Sequence, residues 1–412
     1  MTSPRKSPRP SNLLSIQESQ ARREQPMSGF GLWRLGFRPF YLGAATFAGC
    51  AILFWLLTLF GYAPLPTAVP LTVVWHAHEM VFGFALAVIA GFLLTASNNW
   101  TGILPAAGRP LALLFLCWAL ARGALLYGHF ILAAVLDLFF VSLLAGLLFR
   151  VLWLAKQWKN FSLLGIVILL GVLNGWFYFI ILSDSLTSPL YPIELALLAI
   201  MMMLVIMGGR VIPNFTLNGI PGIQLWKPAF FMTATPIGTL LGIIGWLMFP
   251  PRIAFMACLV AAAIHTARWI GWKPWKTFRH PMVWVLQLGY AWIPITLFTM
   301  GLETLDIVPR SLPVHALSTG AMGLIIAGMI TRTAMGHTGR PIIASCIETA
   351  FFQLVGISAL TRVLASIPVI QANGWANPLL ITAGTAWSLG FLMYVVRYAP
   401  WLCRPRTDGR PG

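Results

Sequence analysis

Long apolar runs recur along this chain of 412 residues, separated by short segments rich in Pro, Gly and polar residues. A bilayer core about 30 Å thick needs about 20 apolar residues per helix. The runs lack the alternation of a β-barrel, and helices are the other structure that satisfies the backbone in lipid. The pattern predicts an all-α integral membrane bundle of about twelve helices, at residues 39–60, 76–97, 110–128, 130–150, 161–182, 191–208, 229–249, 253–271, 282–301, 313–335, 342–364 and 375–398.

The two ends of the chain differ from its apolar middle. Residues 1–32 begin with a stretch rich in Pro, Ser, Arg and Gln, which is typical of a disordered tail. Residues 33–398 form the predicted transmembrane domain, and residues 399–412 a cytoplasmic C-terminal tail. No short apolar core with a small-residue cleavage site opens the chain, so we do not expect a cleavable signal.

Composition supports lipid as the solvent of this chain. Only 9% of its residues are charged and 58% are hydrophobic, whereas a soluble protein carries about 25% charged residues. The cysteines are scattered and form no CxxC pair, which argues against a disulfide framework or a thiolate metal site. We interpret them as small apolar side chains: Cys50, Cys117, Cys258, Cys346 and Cys403.

The net charge of +17 is explained by topology. Most of the 27 Lys and Arg residues fall before the first span, after the last span or in the even-numbered connections, and Arg252 and Arg310 are the clearest exceptions. Basic residues concentrate on the cytoplasmic side of membrane proteins, so both termini are predicted to be cytoplasmic. This placement of charge also argues against a nucleic-acid partner.

Four acidic residues lie within or beside apolar spans: Glu79, Asp137, Glu194 and Glu348. Ionisable groups in a membrane are costly, so each is a candidate functional residue. The alternative is an internal polar contact between helices. Three further acidic residues are predicted to lie outside the membrane, namely Asp184, Glu303 and Asp306.

The seven histidines sort by predicted depth. His76, His78, His129 and His315 fall at the outer edge, whereas His265, His280 and His337 lie toward the cytoplasm. The helix from His315 to His337 would span about 33 Å at 1.5 Å per residue. One cofactor therefore cannot bind both residues.

The densest cluster of metal donors is Trp75-His76-Ala77-His78-Glu79-Met80. Side chains at i and i+2 of a helix point about 200° apart. His76 and His78 therefore cannot bind one metal from a regular helix, which leaves two options: they serve two centres, or the helix starts between them. Imidazole suits iron, copper and zinc, and haem iron commonly takes axial histidine. We predict a metal or haem role for His76, His78, Glu79 and His315; the alternative is interfacial histidines that only hydrogen-bond.

Two basic motifs lie on the predicted cytoplasmic side. The run from Gly336 through His337 to Arg340 follows the tenth span, and its glycines and cationic donors suit an anion such as a haem propionate. The run of residues 208–216, which contains Arg210, is predicted to end the sixth helix. Each motif could instead be a helix-stop loop with a topogenic arginine. His265 lies one turn before Arg268 and is either a further ligand or a buried hydrogen-bonded histidine.

Together these segments resemble the NnrS family of bacterial membrane proteins, with the likeness running from about residue 33 to residue 397. The matching segments keep one order along the chain: residues 35–40, 75–80, 82–84, 90–96, 99–102, 208–213, His265 with Arg268, residues 288–292, His315 with 331–332, and residues 336–340.

The resemblance implies a haem- and copper-containing protein of the bacterial inner membrane, linked to nitric oxide and nitrosative stress. It favours His76, His78 and His315 as ligands, with His265 and His337 as further candidates. Arg340 is a predicted cofactor contact because of the chemistry of its own motif. Which histidine would hold iron and which copper stays open, as do any turnover, the electron donor and the oligomeric state.

Two other classes remain as alternatives. A haem–copper oxidase or nitric oxide reductase has about twelve helices, but it also needs an adjacent His-His pair, which this sequence lacks. A secondary transporter would use intramembrane carboxylates such as Glu79 and Asp137 for coupling protons. No internal repeat relates residues 33–208 to residues 229–398, so we rank the transporter lower.

Overall fold

A computed structural model describes residues 30–63, 72–183 and 185–409, and within these ranges the chain is helical with no β-strand. Most of the predicted N-terminal tail and Asp184 lie outside the described residues. In the described ranges, twelve helices are long and apolar enough to cross a membrane: α1 (Phe37–Leu59), α2 (Val73–Thr101), α3 (Arg109–Leu126), α4 (Phe130–Leu154), α5 (Trp158–Leu182), α6 (Leu190–Gly219), α7 (Phe231–Met248), α8 (Pro251–Lys276), α9 (Pro281–Thr304), α10 (Ser311–His337), α11 (Cys346–Leu364) and α12 (Ala376–Cys403). The prediction of a polytopic helical membrane protein is confirmed.

Helices α2, α9 and α10 form the centre of the bundle, because most of their residues are buried. Helix α1 packs between α2 and α12, and α11 packs against α10 and α12. The outer helices present large apolar side chains outward, such as Val172 on α5 and Val396 on α12. An apolar outer surface of this kind is suited to lipid, since lipid does not oppose its exposure.

The sixth helix is longer than predicted. The segment 208–216 does not end α6, which continues through it to Gly219. Gly208 and Gly209 act as close packing positions there, because a Cβ at either would meet Tyr290 or Arg268. The hydroxyl of Thr216 also donates a hydrogen bond to the carbonyl oxygen of Ile212, one turn earlier in the helix. The glycines and Pro213 therefore mark helix contacts inside α6, and the prediction of a helix stop was wrong.

Two π-helical segments interrupt the central helices. One covers Glu79–Ala85 in α2, and the other covers Ala316–Met322 in α10. A π turn contains an extra residue, so it changes the direction in which the following side chains point. Such turns occur frequently at functional sites. In this chain they begin directly after His78 and His315.

Several charged residues form ion pairs or caps at helix ends. Arg310 pairs with Glu194 at 2.7 Å and with Glu303 at 3.4 Å, which explains why one arginine lies among the acidic residues of its end of the bundle. Glu348 caps the start of α11 by accepting the backbone N–H of Ser345 at 2.8 Å. Glu194 and Glu348 thus make ion pairs and caps between elements. The sidedness of the bundle remains a prediction.

Candidate functional site

One cavity lies between five helices and contains the two outer histidines of the central helices. These five helices are α1, α2, α10, α11 and α12. His76 reaches it from α2, His315 from α10 and Arg362 from α11. The rest of the wall comes from Ile52, Trp55, Met80, Phe84, Ser318, Thr319, Met322, Ser358, Leu380, Ala383, Gly384 and Trp387. The structure therefore brings His76 and His315 together, as their matched predicted depth suggested.

His315 is held in one tautomer. Its Nδ1 donates a hydrogen bond to the carbonyl oxygen of Ser311 at 2.7 Å, and this bond assigns the proton to Nδ1. The lone pair is then on Nε2. A backbone carbonyl that orients one ring nitrogen while the other stays basic is the arrangement that metal-ligating histidines commonly have.

His76 is held by stacking. Its ring lies over the indole of Trp55, with ring centroids 4.3 Å apart and planes inclined by 24°. Its buried Nδ1 has no hydrogen-bond partner, and neither do the indole nitrogens of Trp55 and Trp387. Buried polar atoms are normally paired, so unpaired ones around a cavity indicate a site for a ligand.

Arg362 adds a positive charge to this cavity. Its Nη1 donates to the hydroxyl of Ser366 at 2.7 Å, just beyond the end of α11. No ion pair joins Arg362 to a carboxylate among the residues that the structure describes. The cavity wall thus includes two imidazoles and the thioethers of Met80 and Met322 as possible metal donors, and the guanidinium of Arg362 as a cation.

His78 lies in a different environment from His76, as expected from their i, i+2 spacing. Its ring is fully buried, with Nδ1 at 3.1 Å from the Glu79 carboxylate and Nε2 at 2.9 Å from the side-chain oxygen of Asn174. Both ring nitrogens are therefore engaged. A ligand role for His78 would require one of these two contacts to open.

Glu79 belongs to a buried charge network that joins α2 to α5. Arg122 donates to Glu79 at 2.6 Å and also to Asp137, while the hydroxyl of Tyr178 donates to Asp137 at 2.7 Å. All four side chains are almost completely buried. Gly83 makes room for this network, since a Cβ there would lie 2.9 Å from Glu79 Oε2. Glu79 and Asp137 thus share one guanidinium away from the cavity wall.

Sequence reasoning missed Arg122 and Arg362. Both lie inside predicted spans, at 110–128 and 342–364, and both are charged side chains within apolar helices. An intramembrane ionisable residue indicates a functional or structural site in itself. That signal was applied to the carboxylates and would have identified these two arginines as well.

The remaining predicted site residues lie away from the cavity. His265 has both nitrogens occupied, with Nε2 at 2.8 Å from the Thr239 hydroxyl and Nδ1 at 2.9 Å from the Tyr290 hydroxyl. His337 ends α10 and packs its ring 5.5 Å from that of Phe37. Neither histidine lines the cavity, and their roles as cofactor contacts stay predictions.

Arg340 follows α10 and lies over the ring of Trp401, with its guanidinium carbon 4.4 Å from the ring centroid. Burial lowers the pKa of Arg340, and the neighbouring charges of Arg397 and Arg404 lower it further. Across the described ranges, no group of three or more His, Cys, Asp and Glu residues is placed to hold a metal ion. Any metal at the cavity would thus rely on the two imidazoles and on non-carboxylate donors.

Comparison with known protein families gives one match to nearly the whole chain. A family model described as NnrS protein matches residues 31–406. A search of curated proteins finds no match. The matched range includes every helix of the bundle and every residue of the cavity wall.

Proposed function

Because this chain belongs to the NnrS family, as the match over residues 31–406 shows, we propose that it binds haem and copper and acts in the bacterial response to nitric oxide and nitrosative stress. Family membership and the twelve apolar helices make it a nitric-oxide-related, multi-pass membrane protein. The cofactors, the stress response and the location in the bacterial inner membrane are the proposal. Nitric oxide or a related small molecule is the proposed partner, and no catalytic reaction is assigned.

One observation carries the cofactor proposal: two central helices direct His76 and His315 into a single cavity. His315 keeps a basic nitrogen because its other nitrogen is bonded to Ser311. His76 keeps a buried nitrogen without a partner. Two imidazoles from separate helices are a common way to hold a metal inside a helical bundle.

The residues that line the cavity suit a haem in their chemistry. Its aromatic and apolar walls suit a macrocycle, and Arg362 would face a propionate. His76 and His315 would hold the iron, which would supply a site for nitric oxide once one of the two imidazoles has left it. The chain itself orients the two imidazoles, through the stacking of His76 on Trp55 and the hydrogen bond of His315 to Ser311.

Copper is the second candidate for the same cavity. Thioether and imidazole ligands suit Cu(I), and Met80 and Met322 line the wall with the two histidines. His78 and Glu79 are left out of this centre, because their contacts with Asn174 and Arg122 already occupy them. The proposal therefore places one metal centre at the cavity and assigns no site to a second.

Single alanine variants of the full-length protein test this proposal. His76→Ala and His315→Ala should lose the same metal, measured as metal content and as the reduced-minus-oxidised absorption spectrum. Arg362→Gln should weaken retention of haem while copper retention changes little, which separates the two candidates. His129→Ala is the matched control, since His129 is exposed in the turn before α4. Normal metal content in both cavity variants would exclude the site.

The same preparation discriminates the alternative classes. A Soret band in purified protein would argue against a simple secondary transporter. A haem–copper oxidase would need further histidines at the second metal, and the cavity wall provides His76 and His315 alone. Consumption of oxygen or nitric oxide with an artificial electron donor would support that alternative, whereas stable ligand binding without turnover favours a binding or sensing role.

A further inference from the structure

A second pocket, lined by polar residues, lies near the C-terminal end of α6. Its cavity volume is about 360 Å³, and it is separate from the histidine cavity. Its walls come from α6, α7, α8 and the connection that joins α6 to α7. The lining residues are Gly209, Arg210, Pro213, Asn214, Lys227, Pro228, Phe231, Met232, Arg268 and Trp272. Three of these carry a positive charge and none is acidic.

Arg268 is the central feature of this pocket, because its side chain is only 3% exposed. Its guanidinium donates to the hydroxyls of Thr235 and Tyr290 and to the sulfur of Met232. It also lies 5.2 Å from the ring of Trp272. All of these partners are neutral. Burying a cation without an anion costs free energy, and a negative charge near Arg268 would offset this cost.

The described part of the chain supplies no such charge to the pocket. Arg210 donates to the side-chain oxygen of Asn160, another neutral partner. Lys227 is exposed at the pocket and has no carboxylate partner in the described ranges. The carboxylates that form ion pairs do so with other residues, as Glu79 does with Arg122 and Glu348 with Arg397.

Two glycines, Gly209 and Gly271, allow the close contacts that place these cations around one pocket. A Cβ at residue 209 would lie 1.9 Å from Arg268 Nη2, so only glycine lets the guanidinium pass across α6. On the other side, the backbone N–H of Trp226 donates to the carbonyl of Gly271 at 2.9 Å. A Cβ at Gly271 would lie 2.4 Å from the carbonyl oxygen of Trp226. The connection that carries Lys227 is thereby fixed against the end of α8.

We propose that this pocket is a binding site for a phosphate-type oxyanion, held by Arg268, Arg210 and Lys227. Guanidinium groups bind such anions through charge-assisted hydrogen bonds, and a lysine adds a point charge. The anion is either free phosphate or the phosphate of a lipid headgroup. Phe230 and Met232 expose apolar surface beside the cations, which an acyl chain could cover. The site is independent of haem and copper.

Two measurements on the purified full-length protein test the site and identify the source. In the first, melting in detergent is followed against inorganic phosphate, with chloride at equal ionic strength as the reference. In the second, native mass spectrometry follows retention of phosphatidylglycerol after reconstitution in phosphatidylcholine vesicles containing a minor fraction of it. A phosphate-dependent rise in melting temperature supports a free anion, and selective lipid retention alone supports the headgroup.

Variants at the rim of the pocket decide the outcome. Lys227→Gln and Arg210→Gln should each lower the affinity for phosphate or for the lipid, whichever the wild type binds, by about tenfold. Each substitution removes a hydrogen bond to a charged group. Both residues are at least partly exposed, so the variants should fold. Lys276→Gln is the matched control, since Lys276 is exposed at the same end of α8 but does not line the pocket. Absence of any response in wild type, or equal responses in all four proteins, would overturn the proposal.

Discussion

His76 and His315 face one cavity from two different central helices, and each lies beside a π-helical segment. The π turn in α10 starts directly after His315, and the π turn in α2 starts three residues after His76. Because a π turn changes the direction of the following side chains, the two segments help to set which residues share the cavity wall with the histidines. The cavity thus depends on backbone geometry as well as on the histidines.

Gly320 tests the importance of the π turn in α10. A Cβ at this position would lie 2.4 Å from the indole ring of Trp292 on α9, so Gly320→Ala should displace α10 and lower the bound metal content together with the melting temperature. Gly356→Ala on α11 is the matched control, because nothing lies within 4 Å of its Cβ position. Unchanged melting and metal content in Gly320→Ala would show that α10 tolerates the methyl group without consequence.

Arg122 should be essential to the stability of the bundle. Removing one partner of a buried ion pair leaves an uncompensated charge, and such changes cost about 3–5 kcal/mol. Arg122→Gln should therefore lower the free energy of unfolding in mixed detergent by about that amount. Arg252→Gln, at an exposed position on α8, should have little effect.

A second variant shows whether the loss comes from unpaired charge. Asp137→Asn removes one of the two carboxylates that Arg122 contacts, so adding it to Arg122→Gln should recover part of the lost stability. The free energies of unfolding of the two single variants and the double variant are compared. If the loss in the double variant equals the sum of the losses in the two single variants, the two side chains act independently and the network account fails.

Arg340 should contribute to stability without affecting the cofactor. It stacks on Trp401 at the opposite end of α10 from His315, and cation–π contacts contribute about 0.5–1 kcal/mol at exposed sites. Arg340→Ala should lower the melting temperature slightly and leave the metal content unchanged. Loss of haem in this variant would instead support the role that its glycine-flanked motif suggested, as a contact for a propionate.

The topology prediction is that both termini are cytoplasmic and that the 183–192 connection is periplasmic. It rests on the sorting of Lys and Arg between the two sides of the bundle. Reporter fusions after Arg404 should be active only with a cytoplasmic reporter, and fusions in the connection before α6 only with a periplasmic one. Periplasmic activity after Arg404 would be incompatible with the proposed orientation.

The helices were predictable from the sequence because lipid imposes a simple rule on length and hydrophobicity. The divergence of His76 and His78 also followed from helical geometry. The π turns were not predictable, since their apolar residues have the same composition as α-helical ones. The continuation of α6 through Gly208 and Gly209 was missed because glycine at a helix contact and glycine at a helix end are alike in sequence. The role of Gly209 depends on Arg268, which is remote along the chain.

The pairing of Glu79 and Asp137 with Arg122 illustrates a second limit. The sequence identified the two carboxylates as costly in lipid, but their partner depends on how α2, α3 and α4 pack together. The same holds for His265, whose two hydrogen bonds come from α7 and α9. Sequence reasoning therefore finds which groups need a partner, and the packing of the helices decides which partner they have.

The most direct test of the account is the metal content of His315→Ala beside that of His129→Ala. Ala is favourable in an apolar helix, so both variants should insert normally. The account predicts that His315→Ala loses the metal and its absorption spectrum while His129→Ala keeps wild-type content, and that His76→Ala matches His315→Ala. Wild-type metal content and spectrum in correctly inserted His315→Ala would contradict the assignment of the cavity as the metal centre.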